Sequence, residues 1–166
     1  MDRASRPGAS RRATPTSAFD GLPLAVGDVV LGDGEERWLA GALVARESGR
    51  VIGALFVAPE GAVQHGVAAF AAPRREVFWL APAAVDATGE PPATLELRGV
   101  VLRRRGRLPV SFERFGTGAP RIEEGIWAEY EAGGRDVALV VTGGGACFAF
   151  AGARLEEGDY DRLGAG

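Results

Sequence analysis

Trp127, Glu129, Tyr130 and Glu131 are the residues of this chain whose types and spacing best suit chemistry. On a strand, Glu129 and Glu131 project to one face beside Trp127, while Ile126, Ala128, Tyr130 and Ala132 face the other way. Two carboxylates so placed can exchange protons, or bind a cation such as a polyamine or a basic peptide against an aromatic wall. The same residues also suit a solvated strand face whose charges guard against aggregation.

Arg103, Arg104, Arg105 and Arg107 form a second candidate, a basic patch in a stretch (residues 95–115) of six arginines and two glutamates, net +4. With Phe112 and Phe115 it could contact phosphates and stack on single-stranded bases. However, Phe112 and Phe115 are three apart and fall on opposite strand faces, and residues 116–166 hold four arginines against nine acids, net −5. The reading that follows is a hairpin of solvated arginines pairing with the acidic second half, and nucleic acid is not expected as a partner.

His65, between Gln64 and Gly66, reads as an exposed histidine on a turn. Cys147, between Ala146 and Phe148, reads as a small apolar residue of a strand. A nucleophilic cysteine needs a setting that lowers its pKa, usually with a histidine, and His65 is the sole candidate. Gly116-Thr117-Gly118 begins like a dinucleotide fingerprint, but Arg121 stands at the third glycine position and no helical pattern follows. Trp38, Trp79 and Trp127 are expected to fill the core or close barrel ends.

Composition removes whole classes of chemistry. All 19 basic residues are arginine, so a Walker lysine, a Schiff base and a lysine general base are excluded. One Cys and one His exclude an intrachain disulfide, a structural zinc site and a Cys-ligated cluster, and no metal or cofactor is expected. The single cysteine fits a reducing, cytoplasmic setting. No apolar run approaches the roughly 18 residues of a membrane-spanning helix, which leaves contact at the membrane periphery as the one membrane option.

The elements that must position these residues are short and strand-like. Segments such as Val26–Leu31, Arg37–Ala45, Val51–Ala58, Gly66–Ala71, Thr94–Leu102 and Gly125–Ala132 alternate with Gly, Pro and Asp turn signals. Only Leu155 to Leu163 suits a short helix or helical turn. Val29-Val30-Leu31 recurs as Val100-Val101-Leu102, and Ile52-x-Ala54-x-Phe56-x-Ala58 recurs as Ile126-x-Ala128-x-Tyr130-x-Ala132. Val67-Ala68 recurs as Val137-Ala138, ahead of Phe78 and Phe148. These echoes, about 70 residues apart, suggest an internal duplication. The expected fold is all-β with little helix: two related five-stranded units, packed as a barrel pair or a sandwich. The expected divisions are a disordered Arg-rich tail (1–20), a first β-unit (21–82), a linker (83–92) and a second β-unit (93–166).

Leu24-Ala25-Val26-Gly27-Asp28-Val29-Val30, Phe78-Trp79-Leu80, Pro91-Pro92-Ala93-Thr94-Leu95 and Ile126-Trp127-Ala128-Glu129-Tyr130-Glu131-Ala132 follow one another in an order that resembles the bacterial domain-of-unknown-function family 4178, over about residues 22–163. A Trp-x-Glu-Tyr motif of that family is matched at Trp127, Glu129 and Tyr130; in the first half this chain has Gly53-Ala54-Leu55-Phe56, with no acid. The resemblance implies a small bacterial β-rich domain without an established activity, linked with membrane-associated stress or polyamine-related gene sets. Because no catalytic motif, metal set or partnered nucleophile is found, the function expected is a non-enzymatic binding or scaffold module with an unidentified protein partner, in a membrane-associated stress complex as the resemblance implies. The alternative is cationic small-molecule or peptide binding at Trp127, Glu129 and Glu131, and an enzyme or a single-stranded nucleic-acid binder stands behind both.

Overall fold

The computed structural model describes residues 18–85 and 89–163. Residues 1–17 of the expected tail, and 86–88 of the expected linker, lie outside the described residues. The chain is all-β, with twelve strands among the described residues: β1 (Val29–Gly32), β2 (Glu35–Trp38), β3 (Gly41–Glu47), β4 (Arg50–Glu60), β5 (Val63–Phe70), β6 (Val77–Ala83), β7 (Thr94–Leu97), β8 (Val100–Gly116), β9 (Glu124–Glu131), β10 (Asp136–Gly143), β11 (Ala146–Leu155) and β12 (Tyr160–Leu163). Eight of them close one antiparallel barrel in the order β3-β4-β5-β6-β11-β10-β9-β8, with β8 returning to β3. β7 extends the barrel sheet along the first residues of β8. The remaining strands form a separate three-stranded sheet, β12-β1-β2. Among the described residues no helix is long and apolar enough to cross a membrane.

The two-residue period of the strands builds three apolar layers rather than one. Leu43, Leu55, Phe70, Leu80, Trp127 and Leu139 point inward from different strands and fill the barrel. On the outer face of β3–β6, Val44, Phe56, Val67 and Trp79 are covered by Phe19, Leu24 and Val30, from the entry segment and the small sheet. On the outer face of β8–β11, Ala128, Tyr130 and Val140 pack with Leu95 and Leu102 of the β7–β8 hairpin. Burial on both faces accounts for the apolar run of β10, which is buried from Val137 through Thr142.

The barrel closes at a seam that only glycine permits. Gly41 of β3 lies opposite Gly116 of β8. A Cβ on Gly41 would stand 2.1 Å from the Thr117 carbonyl oxygen, and one on Gly116 would stand 2.2 Å from that of Ala40. Backbone meets backbone there, with no room for a side chain.

Several elements depart from the sequence reading. Four strands from each side of residues 84–93 enter one barrel, so neither a barrel pair nor a sandwich forms. The expected strand Arg37–Ala45 is divided at Leu39–Ala40, where the chain leaves the small sheet for the barrel. Thr94–Leu102 is two strands joined by Arg98-Gly99, whose φ values of 53° and 78° make a tight hairpin turn. The expected helical turn is β12: Asp159 caps the turn through its backbone N–H to Glu156 O (2.9 Å), and the chain then pairs back on β1. Of the sequence echoes, Ala54/Ala128 and Phe56/Tyr130 both face outward. Val67 faces outward while Val137 faces the barrel interior, so that echo is out of register by one residue.

Candidate functional site

At one end of the barrel the inward faces of β6, β9 and β11 end in charge. Trp127 is 1% exposed and packs edge-on to Phe70, with centroids 6.5 Å apart. Its indole N–H donates to Glu129 Oε2 at 3.0 Å. Glu129 is also held by Arg74, 3.0 Å away, whose guanidinium lies over the Phe70 ring at 3.7 Å and reaches Glu76 at 2.9 Å. Burial alone would raise the Glu76 pKa, but hydrogen bonds from its own backbone N–H and from Arg74 outweigh it and leave the carboxyl below its ordinary value. Glu131, next along the same face, is paired with Arg105 and, at 3.6 Å, with Arg154. These groups line a cleft of about 650 Å³. Three carboxylates face four guanidiniums, of which Arg107 is held by Glu90, so a cation entering the cleft must compete with Arg74, Arg105 or Arg154.

The sequence places Trp127, Glu129 and Glu131 together, and the structure does so too. Tyr130 is separated from them. It lies on the outer face of β9, fully buried, and its hydroxyl donates to the Pro92 carbonyl at 2.6 Å. Burial pushes the phenol pKa up to about 12, against a weaker opposing pull from Arg104. Tyr130 thus holds the segment that joins the two halves of the chain. Thr142 Oγ1 donates to Gly89 O (2.8 Å) and Arg104 to Pro91 O (2.7 Å), fastening the same segment.

The basic patch is largely answered by carboxylates. Arg104 and Arg107 both pair with Glu90, and Arg107 does so through two hydrogen bonds, one of 2.6 Å. Arg105 sits at a bulge in the β8–β9 ladder, which turns it toward Glu131. Arg103 is exposed and lies across from Glu131 in the ladder. Phe112 faces the barrel interior and Phe115 packs on the outer layer with Phe19, so they offer no common stacking platform.

His65 is a strand residue rather than a turn residue, because the β4–β5 ladder continues past it to Val63. Its ring is 19% exposed, with Nε2 2.8 Å from Glu60 Oε1. Cys147 lies opposite Thr142 on β11 and packs on the outer layer of the second half. By register His65 is level with Ala151, two strands across and four residues along from Cys147, on the order of 16 Å away. The cysteine and histidine do not form a pair. Among the described residues, no three His, Cys, Asp or Glu side chains converge as a metal-ligand set.

One surface escapes the sequence reading. Trp79 and Trp127 are buried as expected, but Trp38 on β2 is 55% exposed. The neighbouring Arg37 takes the inward position instead, 8% exposed. It donates to the Gly66 and Leu80 carbonyls (3.0 and 2.8 Å), pairs with Glu35 at 2.8 Å and stacks 4.3 Å over Trp79. Burial lowers the Arg37 pKa, with Glu35 opposing, yet a guanidinium stays charged. This clamp ties the small sheet to the barrel and turns Trp38 to the outside. In register, Leu163, Val29 and Trp38 form one row across the outer face of the small sheet, and Asp161, Leu31 and Glu36 form the next. Leu31 is 38% exposed, and Glu36 and Asp161 are exposed without an ion-pair partner among the described residues. The available signal was Glu35-Glu36-Arg37-Trp38 itself: in a strand, either Arg37 or Trp38 must face inward.

Compared with protein-family models, curated proteins and solved structures, the chain matches none.

Proposed function

We propose that this chain is a non-enzymatic binding or scaffold module that receives a protein partner on the outer face of its small sheet. The observation that carries the reading is Trp38, more than half exposed in an apolar row on a sheet clamped to a rigid barrel. Tryptophan is enriched, with tyrosine and arginine, among the residues that anchor protein interfaces. Installing a photo-crosslinking residue at position 38, and as a control at position 101 (another exposed apolar site), tests it in cells. A discrete covalent adduct from 38 and none from 101 is the expected result; identical patterns from both positions overturn the reading.

A second reading, cation binding at the barrel end, is supported by Glu129 and Glu131 sharing one cleft beside Trp127. It requires spermidine to bind in a salt-dependent way and Glu131→Gln to weaken that binding. Unchanged affinity in Glu131→Gln removes it. Single-stranded nucleic acid is not part of either reading, since Glu90 and Glu131 already occupy three of the four patch arginines.

The same proposal includes membership of family 4178, with its membrane-associated stress setting, and descent of the two halves from one unit. Supporting the duplication, β4 and β9 turn matching residues outward; the Val29-Val30-Leu31 echo does not support it, since it precedes a hairpin turn while Val100-Val101-Leu102 follows one.

A further inference from the structure

We infer that the partner seated on the small sheet is an amphipathic helix whose apolar stripe is flanked by arginine or lysine on both sides. This rests on the binding-module reading and adds the chemistry of the occupant. The face is three strands wide, about 10 Å between its outer strands, and its strands of four residues run about 13 Å. One α-helix has about that width, and 13 Å matches some two and a half of its turns. Laid along β1, such a helix sets its stripe on Val29, Leu31, Trp38 and Leu163.

Charge then fixes what borders the stripe. Asp161 and Glu36 stand on the two sides of Leu31, both exposed and neither neutralised among the described residues. Basic side chains on either flank of the helix meet one carboxylate each. The same two carboxylates oppose an anionic lipid surface, and they repel one another if a second copy stacks face to face on this sheet.

The test uses the full chain and two synthetic peptides of 18 residues. Both carry leucines at helical spacing on an alanine background; one has arginines flanking the leucine stripe, and its twin has glutamates there. Calorimetry is expected to show the arginine peptide binding at least about tenfold more tightly than the twin. Trp38→Ala is expected to weaken it about tenfold or more. Glu36→Gln combined with Asp161→Asn should weaken it several-fold at low salt, and less at high salt. A proline in the middle of the arginine peptide, which breaks the helix, should abolish binding.

Four results overturn the inference: no binding of the arginine peptide, equal binding of both peptides, full binding of the proline peptide, or affinity unmoved by Trp38→Ala. Dimerisation of the chain that is lost in Trp38→Ala, or Trp38-dependent binding to phosphatidylserine vesicles, assigns the face to another occupant and also overturns it. If only the helix is wrong, position 38 still crosslinks a discrete partner while the arginine peptide fails; if the binding-module reading is wrong, the crosslink is lost as well.

Discussion

Tyr130 keeps its phenol proton well past the usual range because its hydroxyl is buried against the Pro92 carbonyl. The folded protein holds that proton more tightly than the unfolded chain, where tyrosine ionises near 10. Its share of stability is therefore complete below pH 10 and is lost as the pH climbs through about 12. Ultraviolet titration should show both tyrosines ionising late, Tyr160 because burial raises it and Tyr130 last, near 12, and Tyr130→Phe should remove the last step. The same substitution leaves the Pro92 carbonyl without its donor, for an expected cost of about 1–2 kcal/mol in urea unfolding. Arg37 is the costlier residue to lose. Arg37→Met keeps the bulk but strands the Gly66 and Leu80 carbonyls. Denaturation should register about 2–4 kcal/mol, and amide exchange should quicken in β1, β2 and β12 before it does in the barrel.

At the scale of elements, strand identity was largely legible from Gly- and Asp-marked turns and alternating side chains, and so was the pairing of Trp127 with Glu129 and Glu131 on one face. What escaped has physical causes. Arg98 adopts positive φ without being Gly, Asn or Asp, so the β7–β8 turn carries only half of its usual signal, at Gly99. The choice between Arg37 and Trp38 for the inward position depends on two carbonyls, one on β5 and one on β6, about 30 and 40 residues away in the chain. The seam is likewise invisible locally, since Gly41 and Gly116 acquire meaning only when β3 meets β8. Gly41→Ala drives a Cβ against the Thr117 carbonyl and should cost about 3 kcal/mol or more by thermal or urea unfolding, whereas alanine at Gly133, with open space around it, should be tolerated.

For the whole molecule, closure joins distant parts of the chain: β3 to β8, β6 to β11 and β1 to β12. Pairings this far apart slow the search for the native state, and refolding from urea should take milliseconds to seconds rather than microseconds. Stopped-flow tryptophan fluorescence measures this directly, and microsecond refolding would contradict it. The β1–β12 pairing also sets an order of events during synthesis. Val29, Leu31 and Trp38 leave the ribosome long before Asp161 and Leu163 exist, so the outer face of the small sheet is completed only after every barrel strand has been made. A nascent or prematurely stopped chain lacks one flank of the apolar row and one of its two carboxylates. Binding at that face, as proposed above, would therefore require synthesis to have passed Leu163.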